Sequence, residues 1–443
     1  MRSKLGRFHR PMSRGAMGDM LTMNSLGDGS TLSLDFTTMG GVLDPRLTFT
    51  RASTVATYIN SSGYVATATT NVPRFDYSPT NIGEPRGLLI EGQATSLTKY
   101  SEAFTNAYWN TTANNVTAAD SVATSPTGVA LTASTLTEIA GTVSRHVHQV
   151  TGEFTPAAST AYTMSCFVKQ PTSNAIRYVQ LIFWSAGFGL TAYMNYDLQA
   201  GTVGTGGAGI TASSITAYPN GWYRITATAT SIAVPGSSGF QLGFSTTSGA
   251  VRTESYTASA PLKSIQLFGA QVEVGSGATS YISTGASQVT RTLDTCYMSG
   301  ISSWFNESAG TVISNLHYNG SATDNSGIEL SVGTGSSPTN RIGIRKGYVD
   351  YYSGGVNSAE MYPTVTSGNV RIGTAYSLND FAMCSNGGTM RTDVTGAVPV
   401  GLNTLKLYAD NGTSSLVLNG LIKSIKYFPT RLSNAQLQTL TAP

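Results

Sequence analysis

Charge is what this chain has least of. Of its 443 residues only 26 are Lys or Arg and 23 are Asp or Glu, 11% together, less than half of the roughly 25% usual in soluble domains. That scarcity disfavours a long helical bundle, whose exposed faces are built from Glu, Lys, Arg and Ala. Cysteine is rarer still. Cys166, Cys296 and Cys384 are odd in number and far apart, which argues against a disulfide framework or a paired-cysteine metal knuckle and reads as buried thiols. Apolar runs stay well short of the roughly 18 residues that a membrane-spanning helix needs. The basic start is not followed by the apolar core of a signal peptide. The expectation is a protein made in a cytoplasm, without membrane insertion.

Glycine, aromatics and small hydroxyl residues are plentiful by contrast. There are 48 Gly, 22 Tyr and 15 Phe, and 40% of the chain is hydrophobic. Such a composition supplies real cores and argues against intrinsic disorder, and the length suits two or three domains of about 150 residues each. The net charge of +3 is concentrated at the start: Arg2, Lys4, Arg7, Arg10 and Arg14 all precede the first acid, Asp19. Without that arm the body is slightly negative and carries no field suited to nucleic acid or an anionic membrane.

Residues 1–30 have no period and read as an extended basic arm that orders against a partner. Patterning begins at residues 31–36 (TLSLDF), which alternate as a strand does, and a turn-rich stretch to residue 98 reads as a non-helical brace. Residues 99–292 then repeat strand signals: 143–150 (VSRHVHQV) and 162–168 (YTMSCFV) alternate, while 178–184 (YVQLIFW) is continuously apolar, as a central strand is. A tight turn at residues 219–221 leads into 222–228 (WYRITAT). About eight strands of this kind predict a two-sheet sandwich of jelly-roll type. Residues 300–443 carry Asn-Gly at 319–320, 386–387, 411–412 and 419–420, dipeptides that tolerate the positive φ of hairpin turns and predict a second antiparallel sandwich. Ser433 and Gln436 form a capping box for one short C-terminal helix of about two turns. The fold class is all-β.

Chemistry-bearing patterns are few. Residues 204–209 (GTGGAG) satisfy GxGxxG, yet the following ITASSIT is β-branched and small rather than helical, so a flexible hairpin loop is expected in place of a dinucleotide site. His146 and His148 share one strand face, but two ligands do not make a metal site, and a polar solvent-facing edge is the simpler reading. Asp324, Asn325 and Asp380 offer oxygen ligands to a hard cation without any fixed spacing. Glu329, Asp350, Glu360, Asp380 and Asp393 are scattered among turns, so no carboxylate pair is set up for glycoside hydrolysis and no catalytic residue is assigned. No cofactor or metal is expected. Aromatic residues are a better lead: Trp184, Tyr193, Trp222, Trp304, Tyr351 and Tyr352 are candidates to stack on sugar rings, with Tyr223 beside them, against the alternative that each is core.

Three groups of segments resemble the virion proteins of tailed bacteriophages. Residues 47–54 (LTFTRAST), 71–77 (NVPRFDY), 87–91 (GLLIE) and 100–104 (YSEAF) are similar to the brace that opens many phage fibre and head-spike proteins. Residues 220–224 (NGWYR), 269–273 (GAQVE), 279–284 (TSYIST) and 289–291 (VTR) resemble the carbohydrate-binding-module-like jelly roll of those proteins. Residues 304–311 (WFNESAGT), 386–388 (NGG) and 425–433 (IKYFPTRLS) resemble a concanavalin-A-like or laminin-G-like sandwich. The resemblance implies a head or tail fibre, anchored through Arg2, Lys4, Arg7, Arg10 and Arg14 to a capsid, portal or tail protein, with its sandwiches displayed toward host-surface glycans. A homotrimer follows from the same likeness. Two alternatives stay open, a decoration protein that cements the capsid and a polysaccharide-degrading tailspike. The long β-helix of such spikes has no counterpart in this sequence.

Overall fold

A computed structural model describes residues 27–443 apart from 112–113, 321, 324, 336–337, 364–367 and 409–416. The five basic residues assigned to anchoring, Asp324 and the Asn-Gly pair at 411–412 lie outside the described residues.

The chain is all-β, and every paired strand runs antiparallel to its neighbour. Its first sandwich is built between residues 109 and 274. One six-stranded sheet runs Ile210–Tyr218, Trp222–Thr230, Ala161–Lys169, Ser264–Val274, Ala133–Glu138, Val116–Ala123. The other runs Thr202–Val203, Tyr193–Asp197, Tyr178–Ile182, Gln241–Ser245, His146–Gln149, Trp109–Asn110. Alternation decides which side chains meet between them. Val147, Leu181, Leu242 and Tyr196 from one sheet pack on Met164, Ile225, Ala227 and Leu267 from the other, all but sealed from solvent, while His146, His148, Ser214 and Thr226 point away. Between Ile210–Tyr218 and Trp222–Thr230 the chain turns at residues 219–221, where Asn220 and Gly221 take φ of 60° and 76°. Asn and Gly are the residues that adopt such angles at least cost.

The second sandwich recruits the segment expected to be a separate brace. Its first sheet runs Arg391–Asp393, Asp380–Ser385, Gly368–Ser377, Ala309–Tyr318, Gly420–Phe428, Pro85–Ile90, Arg74–Tyr77, and Leu32–Asp35 also pairs with Gly420–Phe428. The facing sheet runs Leu47–Thr50, Thr295–Ser299, Thr404–Lys406, Gly327–Ser331, Arg341–Arg345, Val349–Ser353, Val356–Met361. Leu32, Leu34, Phe36, Leu47, Phe49, Phe75, Leu88 and Ile90 therefore sit in the same core as Val312, Ile342, Tyr351 and Ile425. The separation of 31–98 from 300–443 does not hold. A strand with one apolar face finds its cover wherever a facing sheet is available, and here that sheet lies some 300 residues downstream.

At the C-terminus Asn434–Thr441 is helical, with the capping box between Ser433 and Gln436 formed in both directions. A one-turn helix at Ser185–Phe188 had no signal in the sequence. Among the described residues no helix is long and apolar enough to cross a membrane. All three cysteines are free and buried.

Where the sandwiches meet, charge is concentrated in the interior. Arg51, Arg74, Glu91, Arg291 and Asp294 are all at most 1% exposed. Arg74 bridges Glu91 at 2.6 Å and also Asp294, Arg291 bridges Glu91 at 2.8 Å, and Arg51 bridges Asp294 at 3.1 Å. Ser280 donates to Glu91 through both its backbone N–H and its hydroxyl, and Arg51 donates to the carbonyls of Ala68, Thr69 and Val72. Burial alone would raise the Glu91 carboxyl, but Arg291, Arg74 and Ser280 bring it down to about 2. All of these side chains but Asp294 come from the segments 47–54, 71–77, 87–91, 279–284 and 289–291, so five of the eleven segments that carry the phage resemblance supply the wiring of this joint.

Candidate functional site

The six aromatic candidates divide by burial. Trp222 is 1% exposed and its indole N–H donates to the Thr124 carbonyl at 3.0 Å. Trp304 packs edge-on against Tyr427 and Phe305, and Tyr351 is fully enclosed with its hydroxyl on Thr374. These three are core and present no face to a ligand. Tyr352 is half-buried, but the Arg341 guanidinium already lies 3.7 Å above its ring centroid. Tyr193 is half-buried beneath the 204–209 loop, where a Cβ on Gly207 would come 2.1 Å from the Thr191 carbonyl and 2.8 Å from the Tyr193 ring. The glycines there are required by close approach to a strand rather than by a free hairpin or a nucleotide.

Trp184 is the candidate that faces a hollow. It follows the strand Tyr178–Ile182, and its carbonyl accepts from Gly187 and Phe188 to start the one-turn helix. That turn fixes the ring beside the outer face of the sheet. On the neighbouring strands His148 pairs with Gln241 and His146 with Gly243. The His146 and His148 rings stack at 5.3 Å, and His148 meets the edge of Trp184 at 5.3 Å and 90°. Arg252 closes the far side, its guanidinium held by the carbonyls of Phe183 at 2.7 Å and Ala192 at 3.3 Å. Ser144, His146, His148, Trp184, Gln241, Arg252 and Thr253 together line a concavity of about 350 Å³.

Among the described residues Arg252 is the one charged side chain lining the hollow, and the imidazoles beside it are neutral. Burial, then the neighbouring His148 and Arg252, pushes His146 down to about 4, and burial also lowers His148. Both imidazoles are uncharged at neutral pH, each with a donor and an acceptor nitrogen. Nδ1 of His148 meets the Gln149 carbonyl. The buried Nδ1 of His146 and the indole N–H of Trp184 have no partner within the protein. Buried polar atoms of this kind need water or a ligand. The expectation that the two histidines lie at a solvent-facing edge is corrected: their strand is the fifth of six and both rings are half-buried.

Gln241, Arg252, Ser144 and Thr253 were not singled out by the sequence. Gln241 carries the alternation signal of its strand, whereas Arg252 sits in a loop and has no pattern. Among the remaining candidates, Asn325 is bonded to Tyr348, Asp380 to Arg431, and Glu329 and Asp350 to Arg345. Among the described residues no three His, Cys, Asp or Glu side chains are grouped to hold a metal ion.

No protein-family model matches the chain, and no curated protein sequence matches it. Among solved structures it is similar to a carbohydrate-binding module, CBM40, of the Ruminococcus gnavus IT-sialidase bound to α2,3-sialyllactose. The identity is 16% over 31% of this chain and 84% of that one, with a TM-score of 0.25. It is also similar to the NanB sialidase of Streptococcus pneumoniae, at 16% identity over 32% of this chain with a TM-score of 0.25. There the matched stretch spans only 26% of the sialidase chain.

Proposed function

We propose that this chain is a structural protein of a bacteriophage particle, a head or tail fibre, that uses a sandwich face to adhere to host-surface glycans and performs no chemistry on them. The observation that carries the glycan part is the Trp184 hollow: a half-buried indole with an unpaired N–H, set among uncharged imidazoles, the Arg252 guanidinium, an amide and hydroxyls. An aromatic face matches the C–H face of a pyranose, and the surrounding neutral donors and acceptors match its hydroxyls. The virion part rests on the resemblance of the segments that build the joint. In this reading the basic arm docks the fibre on a capsid, portal or tail protein, and the fibre is a homotrimer.

The test is a glycan array read with the wild type and with Trp184→Ala. Wild type should retain a defined set of glycans that the variant loses while its thermal unfolding is unchanged. A wild type that retains no glycan, or a variant that retains the same ones, overturns the adhesion reading. Release of reducing sugar from a retained polysaccharide would overturn the non-enzymatic part. Deleting residues 1–30 should abolish incorporation into particles, and light scattering of the whole chain should give three copies.

A further inference from the structure

A larger concavity lies elsewhere, between the two sandwiches, with a volume of about 770 Å³. Its floor is the outward face of the strands Ile210–Tyr218 and Trp222–Thr230. There Ser214 and Thr226 share a hydrogen bond at 2.7 Å, and Thr228 shares one with Thr163 at 2.8 Å. Tyr58 and Tyr218 stand half-buried along it, and the opposite wall brings Arg86 and the end of the strand Ala309–Tyr318 with His317. The buried ion network behind holds the two walls in place, so the concavity is preformed.

Its open hydrogen-bonding capacity is unequal. The acids are already occupied: Glu91 by Arg74, Arg291 and Ser280, Asp76 by the Ile59 N–H at 2.7 Å, and Glu84 at the margin by Asn81. The bases are not. Arg86 makes one long contact, 3.4 Å to Asp76, and keeps 34% of its side chain exposed. Arg224 uses one terminal nitrogen, toward Ser165 and the Thr279 carbonyl, and leaves its Nε unpaired. Lys423 stands close enough to be lowered, after burial, by Arg86 and then by Arg371, and His317 is lowered chiefly by burial and further by Arg86 and Lys423. The cleft thus carries two cationic donors, Arg86 on the wall and Arg224 on the floor strand Trp222–Thr230, beside a floor of hydroxyls.

We propose that this cleft is a second saccharide site, built on residues separate from the Trp184 hollow, that takes an oligosaccharide carrying an anionic substituent, carboxylate, phosphate or sulfate. Arg86 and Arg224 meet the anionic group in charge-assisted hydrogen bonds, and the serine and threonine floor takes the sugar hydroxyls. The inference extends the glycan-binding reading and is separable from it, because the two sites share no lining residue.

The experiment is an array of neutral, carboxylated, phosphorylated and sulfated oligosaccharides of matched length, read with the wild type, Arg86→Gln, Arg224→Gln and Trp184→Ala. Wild type should retain acidic glycans over their neutral counterparts, less so as salt is raised. Arg86→Gln, which loses a single long contact to Asp76, should lower that retention roughly tenfold, and Trp184→Ala should leave it unchanged. Retention of acidic glycans that survives both arginine variants, or that falls with Trp184→Ala instead, overturns the cleft and leaves the hollow standing. A wild type that retains neutral glycans only also overturns the cleft; one that retains none overturns both sites.

Discussion

Replacing Glu91 by Gln isolates the contribution of the charge network at the joint. The carboxylate is 1% exposed and accepts from Arg74, Arg291 and Ser280. Its neutral isostere keeps the shape and leaves three buried guanidinium groups, Arg51, Arg74 and Arg291, with a single remaining acid, Asp294. Removing one member of a buried ionic set typically costs about 3–5 kcal/mol, so the urea midpoint at pH 7 should fall markedly. The pH dependence gives a second, independent number. Glu91 is held at about 2 in the folded chain against 4.5 as a free group, a depressed value, so its stabilisation is complete above pH 4.5 and is lost as pH falls toward 2. Roughly 1.4 kcal/mol per unit gives about 3 kcal/mol over that window. Asp76 acts with the opposite sign in a higher window: burial raises it from 3.8 to about 6, partly offset by the Ile59 N–H and Arg86, so its contribution is present at low pH and is lost as pH rises from 3.8 through 6. Glu91 is itself one of the groups that raise Asp76, so subtracting the variant from the wild type leaves part of the Asp76 window in the difference, and the limb below pH 3.8 is the part that reports Glu91. A variant within about 1 kcal/mol of wild type, or a difference between the two that stays constant from pH 5 to pH 2.5, would refute the reasoning.

Other outcomes follow from the same geometry. A fragment of residues 300–443 should fail to show a cooperative unfolding transition, since it lacks ten buried side chains of its own core, eight from the first hundred residues together with Cys296 and Met298, the large apolar ones each contributing roughly 1.5–3 kcal/mol; a cooperative transition in the fragment would show that these residues are dispensable to it. Trp222→Ala should cost about 3–5 kcal/mol in chemical denaturation yet leave the pattern of retained glycans intact, the reverse of Trp184→Ala. Gly207→Ala forces a Cβ to 2.1 Å from the Thr191 carbonyl and should destabilise by about 1–3 kcal/mol, with no change in nucleotide binding by fluorescence titration. Glycan affinity at the Trp184 hollow should show no step at the ordinary imidazole value near pH 6.5 by calorimetry, because burial pushes His146 down to about 4 and also lowers His148; a step there would contradict this.

What the sequence made legible, and what it did not, divides along the range of the interaction. Strand patterning is a local signal, and it located the strands Ala161–Lys169 and Trp222–Thr230 and the turn at Asn220 and Gly221. A capping box is local too, and Ser433 with Gln436 formed it. Strand partnership is not local. Nothing in residues 31–36 says that Leu32 will lie opposite Tyr427, and so the first hundred residues read as a brace when they are sheet. The same limit separates the tryptophans. Trp184 and Trp222 both stand at strand ends, but Trp222 finds the Thr124 carbonyl and closes into a core, whereas Trp184 is turned outward by a one-turn helix of small residues that has no pattern to read.

The scarcity of charge takes on meaning once the pairings are known. Ten of the 49 charged side chains lie in two interior networks, Arg51, Arg74, Glu91, Arg291 and Asp294 at the joint, and Glu329, Arg341, Arg345, Asp350 and Lys406 across the strands of the second sandwich. Buried ion sets of this kind specify register, because a strand displaced by one residue would strand a charge in the interior. Little charge is then left for the outside, where serine, threonine and asparagine take its place. Such a surface keeps the protein hydrated without a strong field, and a few deliberately placed cations, Arg86, Arg224 and Arg252 among them, then stand out as sites rather than as background.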